Sequence, residues 1–339
     1  MKQITLKHWF LLPFLLVLCL IVNISLGSVD IPLNEILGIL GGEKSSEEVW
    51  TSIIWDFRMT KALTCILAGG ALSVAGLLMQ TLFRNALAGP DVLGLSSGAS
   101  LAVSLIIMGE SAGIRLLADP SPWTIVGAAS AGCGIVFFLV VLISKKLRDE
   151  TSLLIIGLMI GATAASLVSV MQFLSSADDQ QMFLIWTFGS LGGLNWTEII
   201  ILAAVLLVGI LMALYLLKPL NAWMLGDHYA TSLGVNVRVS RFLIISSACL
   251  LTGAVTAFCG PIAFVGLAVP HLTRLLFKTH DQKTLIPAVV LAGAILMLCC
   301  DILAQLPGST HVLPINAITA LIGAPVVISI IMQAKRVAV

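Results

Sequence analysis

The residue types best suited to chemistry sit in one stretch, GPIAFVGLAVPHLTR (260–274), which closes on His271 and Arg274. A histidine can serve as a general base, and an arginine can hold an anion. Hydrolysis would also need a nucleophile, and the serines of SSGAS (96–100) resemble those of an intramembrane peptidase only superficially. Packing of small residues between helices is the better reading of that stretch. The chain lacks H-E-x-x-H and any grouping of His and carboxylates at metal-ligand spacing. It also lacks the G-x-x-x-x-G-K-[ST] loop that would cradle a nucleotide phosphate. The cysteines at 19, 65, 133, 249, 259, 299 and 300 all lie in apolar runs without a C-x-x-C pair. They read as packing residues. No catalytic residue, metal site or bound cofactor is expected.

The elements that must position His271 and Arg274 follow from composition. The chain is 59% hydrophobic and 10% charged, with mean hydropathy +1.08. A soluble domain carries roughly 25% charged residues, so this chain cannot dress a surface that faces water. The expected fold is an all-α polytopic membrane protein. A net charge of +1 leaves no polyelectrolyte partner such as nucleic acid. A span needs about 20 apolar residues, fewer where neighbouring protein satisfies the backbone. Ten runs qualify: 9–28, 62–82, 92–108, 122–144, 152–174, 197–217, 242–259, 262–276, 285–305 and 314–333. The first follows Lys2 and Lys7 and exceeds a signal-peptide core, so it reads as a span. With the N-terminus inside, all but four of the 18 Lys and Arg residues fall on one side. The exceptions are Lys44, Arg58, Lys61 and Arg115. The positive-inside rule then places both termini in the cytoplasm.

The whole chain reads as one transmembrane domain (1–339) with two longer polar segments. Residues 29–61 form an extracytoplasmic loop whose Glu43, Glu47 and Glu48 read as solvated. Residues 218–241 form the longest cytoplasmic stretch, where apolar residues mixed with Asp227, His228 and Thr231 suit one or two short helices lying against a surface. LAGPDVLGL (87–95) and FCGPIAFVGL (258–267) echo each other, each after a span of opposite sense. Inverted repeats with broken helices mark transporters. Ion-coupled transporters need ionisable groups in the membrane, and the spans hold little beyond Asp301 and Asp91. Energy for uphill transport is expected to come from outside the chain.

Five stretches carry a resemblance that covers nearly the whole sequence: GALSVAGLLMQTLFRNALAGPDVLGLSSGAS (70–100), LGDHYATSLGV (225–235), GPIAFVGLAVPHLTR (260–274), LIPAVVLAGAILMLCCDILAQ (285–305) and LPINAITALIGAPVVISII (313–331). They resemble the permease subunit of type II ABC importers for ferric siderophores, haem and cobalamin, the FecCD-type family. The resemblance implies ten spans per subunit in a bacterial cytoplasmic membrane and pairing with a second permease, either another copy or a relative. It also implies a cytoplasmic ATPase pair that uses the ATP, and an extracytoplasmic binding protein. Within 218–241 it implies an ATPase-coupling patch of Leu220, Trp223, Met224, Leu225, Asp227, Tyr229, Ala230 and Leu233; an interfacial helix anchored in lipid by Trp223 and Tyr229 is the alternative.

The resemblance further implies that basic residues before the second span dock the binding protein. Here they are Arg58 and Lys61, where the family pattern is Arg-Leu-Pro-Arg, and they are expected to be exposed. Anchoring to headgroups is the alternative role. The third basic position is Gln305, and Val312 and Asn316 replace the usual glutamate and glycine. The fifth span should line the pathway through some of Thr163, Ser166, Ser169 and Gln172, with others bonding between helices, while Thr151 and Ser152 fall near the inner gate. Pro261 and Pro270 should shape the entry and exit of the 260–274 span, and Gly266 should allow close approach. The stretch 85–97 looks most like ferric-chelate permeases, which makes a ferric siderophore the expected cargo. Haem or cobalamin, and a self-sufficient ion-coupled transporter, are the rivals.

Overall fold

Apolar runs this long have no water to hydrogen-bond their backbone, so each must close its own bonds, and helices do this within the segment. The protein is accordingly all-helical in a computed structural model that describes residues 2–42, 47–111, 113, 120–144, 150–305 and 312–337, with no strand among them. In chain order the helices begin with α1 (Lys2–Ser25), α2 (Leu33–Leu40) and α3 (Glu48–Ser52). Seven residues of π-helix, Ile53–Met59, lead into α4 (Thr60–Leu82), and a 3-10 turn, Pro90–Leu93, leads into α5 (Leu95–Ile107). Next come α6 (Pro122–Ser144), α7 (Glu150–Leu174), α8 (Ala177–Thr187) and α9 (Trp196–Tyr215). The segment read as cytoplasmic holds α10 (Leu217–Trp223) and α11 (Asp227–Ser232). The chain finishes with α12 (Val237–Cys259), α13 (Val265–Phe277), α14 (Gln282–Ala304) and α15 (Ile315–Val337).

Each of the ten runs read as spans is a helix. Among the described residues seven are long and apolar enough to cross a membrane, α5 and α13 are shorter apolar helices, and α15 is apolar over Ile315–Ser329. Thirteen residues rise about 20 Å, short of a hydrocarbon core of about 30 Å. In both α5 and α13 a break precedes the helix. Gly94 (φ 77°) joins the 3-10 turn to α5, and Gly260 (φ 75°) and Phe264 (φ 68°) turn the chain into α13. The two Gly-Pro echoes thus occupy corresponding places, each just before a short helix. They meet where a Cβ on Gly89 would touch Leu267 and one on Gly266 would touch Pro90, and α13 runs on to the end of α4, with Arg274 bonded to Gln80. Pro270 does not mark an exit: α13 continues through it to Phe277 and stops at Lys278, which adopts the left-handed conformation.

Residues 29–61 are not solvated throughout. Ile31, Ile36, Ile39 and Ile54 are buried in the main apolar cluster, so α2 and the π-helix fold back onto the bundle. Spacing concealed this because the segment's apolar residues come singly, in pairs and in one triplet, such as Ile36-Leu37 and Ile53-Ile54-Trp55, rather than in a run long enough to span. Glu47 and Glu48 are exposed, and Glu43 lies outside the described residues. Helix α8 follows α7 directly, starting from a Ser176 cap. Trp55 and Trp196 stand 6.4 Å apart at the end where α4 and α9 begin, the end read as outer, where aromatic side chains suit the interface.

At the centre stands α4, buried over nearly its whole length. Lipid tails are as apolar as leucine, so helices associate through close packing of small residues rather than through hydrophobic burial. A Cβ on Gly69 would collide with the Gly293 carbonyl of α14, and one on Gly76 with the Gly266 carbonyl of α13. Gly266 therefore permits the close approach expected of it. Gly98 and Gly132 oppose each other in the same way between α5 and α6. Exposed apolar side chains such as Phe10, Phe173, Ile200 and Leu321 face outward from α1, α7, α9 and α15.

These contacts set a stability prediction. Gly76→Ala forces backbone apart and should cost about 1–3 kcal/mol, lowering the melting temperature in detergent by several degrees. Gly127→Ala, where a Cβ meets nothing within 4 Å, should leave it unchanged or raise it, because alanine favours helix over glycine by about 1 kcal/mol. Equal melting temperatures for the two variants would contradict the packing account.

Candidate functional site

The segment read as cytoplasmic folds as two short helices with two different faces. Leu220, Trp223 and Ala230 are fully buried, and Leu225, Tyr229 and Leu233 are 65%, 51% and 59% exposed. The eight-residue coupling patch therefore divides. The buried three form its base, with the Arg241 guanidinium 5.8 Å from the Trp223 ring centroid. A lipid anchor at Trp223 is ruled out by its burial. The exposed knobs are Leu225, Tyr229 and Leu233, carried on α11 and the turns flanking it. Met224 is half-buried, its Sδ accepting from Gln282 Nε2 at 3.5 Å. Asp227 opens α11, and its side chain lies outside the described residues. Gly226 (φ 108°) makes the turn between the helices, a conformation that favours glycine.

Beneath this face are residues that the sequence reading missed. Asn221 donates Nδ2 to Asp281 Oδ1 at 2.8 Å and accepts the Gln282 backbone N–H at 2.9 Å. Gln282 Nε2 in turn donates to Thr81 Oγ1 at 3.2 Å, in the last turn of α4. Nearby, Arg274 donates to Gln80 Oε1 at 2.6 Å, and Gln80 Nε2 donates to the Leu267 carbonyl at 3.1 Å. Arg274 thus fastens α13 to α4. A single glutamine gives no pattern in a sequence, so only its burial at the end of a span could have flagged it.

At the outer end the expected exposure of Arg58 is corrected. Arg58 is 7% exposed. Its Nη1 donates to the carbonyls of Ile24 and Ser25 at 2.8 and 3.0 Å, and its Nη2 donates to that of Val29 at 2.5 Å. It caps the C-terminus of α1, whose last carbonyls have no partner within the helix. Lys61 Nζ pairs with Asp301 Oδ1 at 2.9 Å. Asp301 Oδ2 also accepts from Asn23 Nδ2 and Gln305 Nε2, both at 2.8 Å. The two charges read as an exposed docking site instead bind α1, α4 and α14 together. Gln305, in the family's third basic position, joins the same cluster. Asn316 is also engaged: its Oδ1 accepts the Ala263 N–H at 3.1 Å in the break before α13. Val312 is exposed.

On α7, Thr163, Ser166 and Ser169 are exposed and bond the carbonyls of Met159, Ala162 and Ala165 in their own helix. Their hydroxyls are satisfied locally, so the expected bonds between helices are not made at these three positions. Gln172 is half-buried, and its carbonyl accepts from Gln180 Nε2 of α8 at 2.8 Å. Thr151 and Ser152 lie in the first turn of α7, the former exposed and the latter half-buried. The peptidase constellation does not assemble: Ser96 Oγ donates to Asp91 Oδ1 at 2.8 Å, and His271 Nε2 is buried without a hydrogen-bond partner.

The ion pair allows a signed prediction. Asp301→Asn strips one charge from a buried network and strands Lys61; breaking such a pair costs about 3–5 kcal/mol, whereas replacing both partners is near neutral. The single variant should melt lower than wild type, and adding Lys61→Met should recover part of the loss. A double variant that melts lower than the single one would contradict the pairing.

Comparison with known proteins meets this geometry from outside. Residues 15–333 match the FecCD transport family. The haemin transport system permease protein HmuU of Yersinia pestis is 35% identical over 330 residues, 96% of each chain. The vitamin B12 import system permease protein BtuC of Klebsiella pneumoniae is 30% identical over 331 residues, 97% of this chain and 95% of that one. The Fe(3+)-citrate import system permease protein YfmE of Bacillus subtilis is 33% identical over 317 residues, 93% of this chain and 91% of that one. A solved structure described as a metal-chelate type ABC transporter in an inward-facing conformation superposes with TM-score 0.84 at 27% identity, covering 96% of this chain and 99% of that one. The chain is a multi-pass membrane protein and belongs to the FecCD transport family of ABC importer permeases.

Proposed function

We propose that this chain is the membrane-spanning subunit of an importer that carries a ferric siderophore across the bacterial cytoplasmic membrane, driven by ATP hydrolysed in a separate cytoplasmic ATPase pair. The carrying observation is the division of the α10–α11 segment into a buried base and three exposed knobs. A rigid base with projecting apolar side chains suits a soluble protein groove, since it holds shape under load. An extracytoplasmic binding protein delivers the cargo, and a second permease, another copy or a relative, completes the pathway. α7 lines that pathway, with Thr163, Ser166 and Ser169 on its exposed side. Of the two residues expected to dock the binding protein, Arg58 is buried as the cap of α1 and Lys61 is partly exposed beside Asp301.

A second reading of the cargo is favoured by specific observations, because relatives of comparable identity serve haemin and vitamin B12 import. Uptake of a radiolabelled ferric siderophore, haem and cobalamin in a strain dependent on this permease separates the readings. Siderophore uptake alone is the expected result, and uptake of cobalamin or haem without the siderophore would overturn the assignment. Leu225→Arg at the coupling face should abolish uptake while the protein still inserts and melts normally. Full uptake by that variant would remove the coupling role.

A further inference from the structure

Helices of six or seven residues, as α10 and α11 are, do not hold themselves in water; isolated helices need about 12–15 residues even to be marginal. Their place is set by what they touch. The apolar base of Leu220 and Trp223 gives adhesion without direction, because apolar burial is non-directional. Direction comes from hydrogen bonds, and Asn221 of α10 makes two to the start of α14. Its amide group donates to Asp281 Oδ1 and accepts from the Gln282 N–H. That N–H belongs to the first residue of α14 and has no partner within the helix. Asp281 is itself the cap of α14, accepting from Lys283 N at 3.3 Å through the same Oδ1. Gln282 carries the link onward to Thr81 of α4.

From there α14 runs 23 residues, about 35 Å at 1.5 Å per residue. Its last turn carries Asp301, the hub that holds Lys61 of α4 and Asn23 of α1. The coupling segment is therefore bracketed to the inner end of a helix pair whose outer end is pinned as well.

We propose that Asn221, Asp281 and Gln282 form the transmission joint of the transporter: positioning residues that convert displacement of the α10–α11 face by the ATPase into movement of α14 and α4. The joint rests on the reading that an ATPase seats on that face.

The test uses the assembled transporter, permease with its ATPase and binding protein in proteoliposomes, and reads ferric siderophore imported per ATP hydrolysed. Asn221→Asp sets a carboxylate against Asp281 and removes the donor of the first bond. Import per ATP should fall roughly tenfold, since hydrogen bonds to charged groups are worth about that factor or more. ATPase binding and basal hydrolysis should persist. Adding Asp281→Asn restores the first bond with the roles exchanged, the amide at 281 donating to the carboxylate at 221, which also keeps accepting the Gln282 N–H, and import per ATP should return toward wild type. Unchanged import in the single variant would overturn the proposal. So would a loss that the exchange does not restore, or a single variant that no longer binds the ATPase. A wild-type permease that recruits no ATPase would overturn the functional reading itself, and that control is read before any variant.

Discussion

The structure depends on backbone meeting backbone along α4. Where Gly69 faces Gly293 and Gly76 faces Gly266 there is no room for a side chain, so α4, α13 and α14 approach until their main chains touch. In lipid this contact replaces the hydrophobic effect as the source of cohesion. Its consequence is stiffness. Helices in contact through backbone cannot rotate against one another without losing the fit, so α4, α13 and α14 behave as one body around which the lipid-facing helices are arranged.

Polar groups are concentrated at the two ends of that body and fix its register. On the inner side Arg274–Gln80 and Gln282–Thr81 tie α13 and α14 to α4. On the outer side Asp301 gathers Lys61, Asn23 and Gln305 while Arg58 caps α1. A buried polar group without a partner is costly, so each network opposes sliding of one helix along its neighbour. Small-residue contacts in the middle and hydrogen-bonded ends divide the labour between closeness and register.

Much of this was legible in the sequence because it was written in runs. Ten apolar stretches became helices, and the Gly-Pro echoes fell at the breaks before α5 and α13. The coupling segment was legible as short helices, but its faces were not: Trp223 and Leu225 look alike as apolar residues, and only tertiary packing buries one and exposes the other. Arg58 and Lys61 misled for a related reason. A basic pair at an outer helix start reads as exposed charge, and its true partners are the end of α1 and Asp301 on α14, more than 30 and 200 residues away in sequence. Asn221 and Gln282 were invisible, because a single amide becomes informative only when its partners are in place.

The central claim is that energy enters through the α10–α11 face and not through charges within the membrane. Asp301 supports it, since an acid that already pairs with Lys61 and accepts two further hydrogen bonds is poorly placed to carry a proton cycle. The most direct measurement is uptake of ferric siderophore into proteoliposomes holding this permease with its ATPase and binding protein, with luminal ATP and ion gradients varied independently. Uptake that requires ATP on the ATPase side and persists with proton and sodium gradients collapsed is the predicted result. Uptake driven by either gradient in the absence of ATP would contradict the account.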